Sequence, residues 1–118
     1  MKTLVIGSSI NPERYSNKAI LSLRNHGHEV IAHGLKTGTV VDVNIVTEWP
    51  SNEEIDTVTL YVGPQNQEEY IPKILALKPR RIIFNPGTEN QDFEAVATKE
   101  GIHCEEACTL VLLATNQY

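Results

Sequence analysis

Three short apolar runs, each broken off by a glycine or proline loop, constrain this chain most. Leu4-Val5-Ile6 stops at Gly7, Thr57 through Val62 stops at Gly63-Pro64, and Ile82-Ile83-Phe84 stops at Asn85-Pro86-Gly87. None shows the clean polar/apolar alternation of a half-exposed strand, so they suit strands covered on both faces of a parallel sheet. Amphipathic stretches stand between them. Ala19, Ile20, Leu21 and Leu23 mark a helix expected to start near Ser16, a good N-cap residue, and to stop at His26-Gly27-His28. Val30-Ile31-Ala32 reads as a second strand. Asn66 to Glu69 resembles a capping box, predicting a helix that runs towards Leu77 with Tyr70, Ile74 and Leu77 on one face. Pro72 comes early enough to be tolerated there. Phe93, Val96 and Ala97 mark a further helix ending at Gly101, Ile102 to Glu105 a fifth strand, and Ala107 to Leu113 a last helix. Val40 to Val46 is β-prone but interrupted by Asp42 and Asn44, and is expected to be a short extended connection. Ser51 to Ile55 is expected to form one helical turn.

The strand and helix alternation predicts the α/β class: a single doubly wound, mainly parallel-sheet, Rossmann-like domain over residues 1–118. With 118 residues, 41% of them hydrophobic, the chain can bury a core without disulfides or a structural metal. Acids outnumber bases 15 to 10, for a formal net charge of -5, which disfavours gripping a nucleic-acid backbone. A local anion site needs only a few donors in one place and stays open. Cys104 and Cys108 stand four residues apart, which misses the Cys-x-x-Cys spacing, and the histidines form no metal pattern with them. No apolar stretch is long enough to span a membrane, and the first apolar run is too short for a secretory signal. A cytoplasmic protein is expected.

In a parallel α/β domain ligands bind outside the carboxyl ends of the strands. That rule points to Gly7–Arg14, Ala32–Gly38, Val62–Asn66 and Asn85–Asn90. In the first segment, Gly7 permits a tight turn, Ser8 and Ser9 offer hydroxyls, the following helix offers free N–H groups, and Arg14 adds a charged fork. A diphosphate site and an ordinary serine-rich turn fit this segment equally well. The three spaced glycines of a dinucleotide fingerprint are absent, the second strand ends in Ala32-His33-Gly34 with no acid, and no P-loop motif occurs. His33 fits either a base or ligand contact or an ordinary loop residue, and Lys36 either a phosphate partner or a solvated lysine. Thr88 or Asn90 fits the cap of the next helix, whereas capping does not explain Glu89. Neither serine has a histidine and carboxylate that the sequence places beside it. Cys108 lies in an apolar run where burial is the simpler account. No catalytic centre and no metal site are expected.

The chain resembles the small bacterial CoA-binding proteins of the Rossmann type, which look like the CoA-binding domain of the succinyl-CoA synthetase alpha subunit standing alone. The resemblance covers essentially the whole chain. It is carried by Gly7-Ser8-Ser9-Ile10-Asn11-Pro12-Glu13-Arg14-Tyr15-Ser16-Asn17, by Asp56 through Val62, by Arg81 through Asn90, and by Glu106-Ala107-Cys108-Thr109-Leu110-Val111. It implies a coenzyme A site. The diphosphate would lie on Gly7, Ser8, Ser9 and Asn11, near Arg14 and Ser16. The adenosine side would approach His33 and Lys36, and the pantetheine arm Gly63, Pro64, Asn85, Pro86, Gly87 and Thr88. The proline-bearing segment that often follows the second strand in related domains is missing here. The synthetase carries its active-site histidine on a further domain, which this chain is expected to lack. The expected partner is therefore a small molecule, CoA or an acyl-CoA, bound without a self-contained reaction. Two alternatives stand beside it: an interaction or regulatory subunit with a degenerate nucleotide cleft and a protein partner of unknown kind, and an enzyme acting on a CoA thioester through Glu89 or Cys108.

Overall fold

The computed structural model describes residues 2–118. In chain order they form β1 (Lys2–Ile6), α1 (Tyr15–Asn25), β2 (Glu29–His33), β3 (Gly38–Val40), β4 (Val43–Val46), β5 (Thr57–Leu60), α2 (Ile71–Leu77), β6 (Arg81–Phe84), α3 (Gln91–Lys99), β7 (His103–Glu106) and α4 (Thr109–Ala114). The strands make one seven-stranded sheet in the order β3-β4-β2-β1-β5-β6-β7. Every pair is parallel except β3 with β4. The chain steps outward from β1 to β2 and then returns to the other side of β1 for β5. The strand order therefore reverses between β1 and β5.

Helices cover both faces, so the domain is doubly wound. Leu4, Ile6, Val58, Leu60, Ile82 and Phe84 join Ile74 of α2 and Phe93 and Ala97 of α3 in one apolar layer. Val5, Ala32, Val43 and Ile45 join Ile20 and Leu23 of α1 and Leu113 of α4 in the other. Strand side chains alternate between the faces. Each face has its own core, so β1 and β6 carry apolar residues at successive positions, whereas the central β5 turns buried Thr57 and Thr59 to one of the faces.

The hairpin β3–β4 corrects the expectation of a simple extended connection over Val40–Val46. In β4, Val43 and Ile45 are buried while Asn44 and Val46 are exposed. Asp42 sits in the tight turn, where the Arg24 guanidinium grips it through Nε (3.0 Å) and Nη2 (2.6 Å). The two polar residues that interrupt the apolar pattern are thus the turn and the solvent face of an edge hairpin.

Helix starts also differ from expectation. Ser16 is not the cap of α1: Arg14 holds that position with extended backbone and no side-chain cap bond, and Ser16 is buried inside the first turn. Asn66 does not start α2 but ends a 3-10 turn, Pro64–Asn66. The reason is Gln67, fully buried. Its Nε2 donates to the Val62 carbonyl (3.0 Å) and the Thr88 carbonyl (2.7 Å), and its Oε1 accepts from Asn90 Nδ2 (3.0 Å). These long-range bonds fix the loop and delay the helix to Ile71. Ser51 to Ile55 forms a turn instead of a helical turn, with Ile55 buried in the core. The last helix starts at Thr109 and not at Ala107. Asn90 caps α3 by accepting from the Phe93 N–H (3.1 Å), while Thr88 Oγ1 donates to the Asn85 carbonyl (2.8 Å).

Candidate functional site

The loops that leave β1, β2, β5 and β6 meet over the point where the strand order reverses. They enclose a cleft of about 1160 Å3. That volume exceeds the ~300–1,000 Å3 common for small-ligand pockets, so it suits an extended ligand. Reversal of strand order is where such sheets open a crevice, because neighbouring loops there turn to opposite faces.

The turn after β1 forms the floor. Gly7 has φ 88°, and a Cβ placed on it would lie 2.8 Å from the Tyr61 carbonyl oxygen. Only glycine lets β1 end this close to β5. The N–H groups of Gly7 and Ser8 both donate to the His33 carbonyl (3.1 and 3.0 Å). Ser8 Oγ donates to the Val5 carbonyl (2.9 Å), and Ser9 Oγ accepts from the Asn11 N–H (3.1 Å). These bonds shape the turn and engage every donor among them except the Ser9 O–H, which stays free because Ser9 Oγ accepts. Further open donors come from α1. Its first bonds run from Asn17 and Lys18 to the Arg14 carbonyl. The N–H groups of Tyr15 and Ser16 therefore have no partner within the helix, as at any helix start. No side chain caps this end and no acid lies in its first turn, so its partial positive charge faces the cleft beside the Arg14 guanidinium.

The structure brings Gly7, Ser8, Ser9, Arg14, Ser16, Lys36, Gly63, Pro86, Gly87 and Thr88 to this one cleft. It does not bring Asn11, His33, Pro64 or Asn85 to its wall. Asn11 accepts from the Glu13 N–H (3.0 Å) and shapes the turn. Pro64 opens the 3-10 turn. His33 is buried, its Nδ1–H donating to the Glu48 carbonyl (3.1 Å) and its ring edge-on to Trp49 and Tyr70. Burial holds the His33 imidazole below its ordinary pKa. Asn85 is buried beneath the β6 loop. Its Nδ2 donates to Thr59 Oγ1 (2.6 Å) and the Leu60 carbonyl (2.9 Å), and its Oδ1 accepts from the Thr109 N–H (2.9 Å). Glu89 is exposed and accepts from the Gly87 N–H (2.8 Å), clipping the loop shut on itself.

Several cleft residues had no counterpart among those expected. Ile10, Tyr15 and Leu35 form an apolar rim, exposed by 61%, 66% and 87%. An exposed leucine in a loop bounded by Gly34 and Gly38 was the available signal for this rim. Tyr61, Glu68, Glu69 and Tyr70 line the opposite wall. The Tyr61 hydroxyl is buried beside Thr59 and Thr109, and burial pushes its pKa up to about 12, so it stays a neutral phenol. Cys108 holds the cap position of α4 without a side-chain cap bond, and both cysteines are free thiols. Among the described residues no helix is long and apolar enough to cross a membrane.

A doubly wound sheet with a large cleft at its reversal point, floored by a glycine turn and an uncapped helix start, defines a Rossmann-like α/β domain. The chain belongs to the CoA binding domain family, whose model matches residues 1–114. Among solved structures, it is 45% identical to an uncharacterized protein of known crystal structure, covering 99% of this chain and 97% of that one with a TM-score of 0.96. It is 20% identical to cell-free ID.343 from Thermus thermophilus, covering 99% and 90% with a TM-score of 0.87. It is 22% identical to a hypothetical protein from Pyrococcus horikoshii OT3, covering 92% and 78% with a TM-score of 0.83. The last two likenesses bear on the fold alone. No curated protein matches.

Proposed function

We propose that the cleft binds coenzyme A or an acyl-CoA and that the chain works in the cytoplasm as a binding module without a catalytic centre of its own. The observation that carries this is the uncapped start of α1 beside Arg14, at the centre of the one cleft where the four strand-end loops converge, in a chain of the CoA binding domain family. The donor set fits the ligand. Two free N–H groups, a guanidinium and a helix start are what a diphosphate requires. The diphosphate lies on the Ser9–Ser16 segment, the adenosine side on the loop with Lys36, and the pantetheine arm along Gly63 and Pro86–Thr88. Asn11, His33, Pro64 and Asn85 support this surface from behind. Binding without turnover is favoured because the Ser8 hydroxyl donates to the backbone and Tyr61 stays protonated.

Isothermal titration with CoA, acetyl-CoA, NAD and ATP tests the assignment. Heat with both CoA species and none with NAD or ATP is expected. Absence of CoA binding at a detection limit of ~100 μM, equivalent to about 5 kcal/mol, would overturn it. Arg14→Ala should weaken CoA by about 10- to 150-fold, the worth of one charge-assisted hydrogen bond, and leave pantetheine nearly unchanged. Mass spectrometry of the small molecules released on denaturing the freshly purified protein identifies a resident ligand without presuming one. A stable protein partner with no small ligand would favour a regulatory subunit instead.

A further inference from the structure

The cleft has two electrostatically unlike halves. The loops that follow β1 and β2 bring two cations, Arg14 and Lys36, and a single acid, Glu13, to the cleft. The loops that follow β5 and β6 contain no lysine or arginine from Tyr61 to Tyr70 or from Asn85 to Asn90. They carry Glu68 and Glu69, both exposed and both on the cleft wall, and Glu89, held at the Gly87 turn by its bond to the Gly87 N–H. The lysine of α2, Lys73, leans over the Trp49 ring at 5.8 Å and does not line the cleft. The β5–β6 end thus has negative charge and no basic side chain in its loops to offset it.

We propose that this half selects the acyl group by charge, accepting free CoA and thioesters of uncharged acids and disfavouring thioesters of dicarboxylic acids. The inference rests on the assignment of the pantetheine arm to the β5–β6 half. A terminal acyl carboxylate then enters a region where Glu68 and Glu69 repel it and no cation replaces the water it gives up. Acetyl-CoA adds no charge and meets no such penalty. The difference is a property of the cleft's far end and does not touch the diphosphate donors of α1.

The experiment compares CoA, acetyl-CoA and succinyl-CoA by isothermal titration at low salt, in the parent and in the Glu68→Gln/Glu69→Gln variant. In the parent, succinyl-CoA should bind about 5- to 20-fold more weakly than acetyl-CoA, and added salt should narrow the gap. In the variant the two should agree within about twofold. The ratio is the readout, because removing two negative charges strengthens every CoA species. Circular dichroism checks that the variant is folded. Equal affinities in the parent would overturn this inference while leaving CoA binding intact. A gap that persists in the variant would remove Glu68 and Glu69 from the selection and overturn it as well. No heat with any CoA species would overturn the CoA assignment itself, and this inference with it.

Discussion

Replacing Asn85 separates a structural role from direct ligand contact at the β6 loop. The side chain is 2% exposed and makes three hydrogen bonds. Asn85→Ala leaves the Leu60 carbonyl and the Thr109 N–H without these partners and removes a donor from Thr59 Oγ1, whose bond to Thr109 Oγ1 (2.8 Å) remains. Each net hydrogen bond is worth about 0.5–1.5 kcal/mol, and an abandoned buried group costs about 1–3 kcal/mol. Allowing for one group that keeps a partner, the loss should be about 2–5 kcal/mol, a large part of the ~5–15 kcal/mol typical of a domain. Urea unfolding followed by circular dichroism measures it. With a slope of about 1–3 kcal/mol per molar, the midpoint should fall by roughly 1–3 M. Asn85→Asp is the companion variant. It keeps the acceptor for Thr109 but turns the donor into an acceptor facing the Leu60 carbonyl, so it should lose a similar amount. A loss below about 1 kcal/mol in both variants would refute the assignment of Asn85 as the pin joining β5, β6 and α4.

Gly7→Ala should cost about 1–3 kcal/mol in the same assay, because φ 88° is unfavourable for alanine and its Cβ meets the Tyr61 carbonyl oxygen at 2.8 Å; parent-like stability would show that the turn relaxes freely. His33 should titrate below its usual value near 6.5, as followed by its ring proton resonances. The folded protein binds this proton less readily than the unfolded chain. The stability it contributes is therefore complete above about pH 6.5 and is lost as the pH falls through the folded value. A midpoint at or above 6.5 would show that the imidazole is not shielded by Trp49 and Tyr70.

The central sheet was legible because its determinants are local. Leu4-Val5-Ile6 and Ile82-Ile83-Phe84 need apolar side chains on both faces, and that need is written as continuous runs. Asn90 was legible among the candidate caps, since capping acts over three residues. Asn66 and Ser16 misled for the opposite reason. Asn66 has a good local cap pattern, but buried Gln67 reaches 21 residues along the chain to Thr88 and overrides it. Ser16 suits a cap by type, yet the bend made by Asn11 and Glu13 starts the helix earlier. The edge hairpin was hidden because half its residues face water, which weakens an apolar run without ending a strand. The four site loops were found from strand ends alone. Which of their side chains reach the cleft depends on bonds across the sheet edge, as with His33 and Asn85, and no spacing in the sequence records those bonds.

The net charge of -5 and an anionic ligand are compatible only if the attraction is short-ranged. The Ser8 hydroxyl supplies none of it, because it donates to the Val5 carbonyl, whereas Ser9 Oγ accepts from the Asn11 N–H and keeps its own O–H free to donate. The Gly7 and Ser8 N–H groups are directed to the His33 carbonyl. What remains is the Ser9 O–H, the start of α1 with Arg14, and Lys36 on the neighbouring loop. The polar loop after β1 thus serves chiefly to hold that helix end at the floor of the crevice. Asn17 Nδ2, donating to the Ser9 carbonyl (2.9 Å), ties the loop to the helix it presents. The chemistry that the sequence suggests for Ser8 is delivered one step further on, by the backbone at Tyr15 and Ser16, joined by the Ser9 O–H.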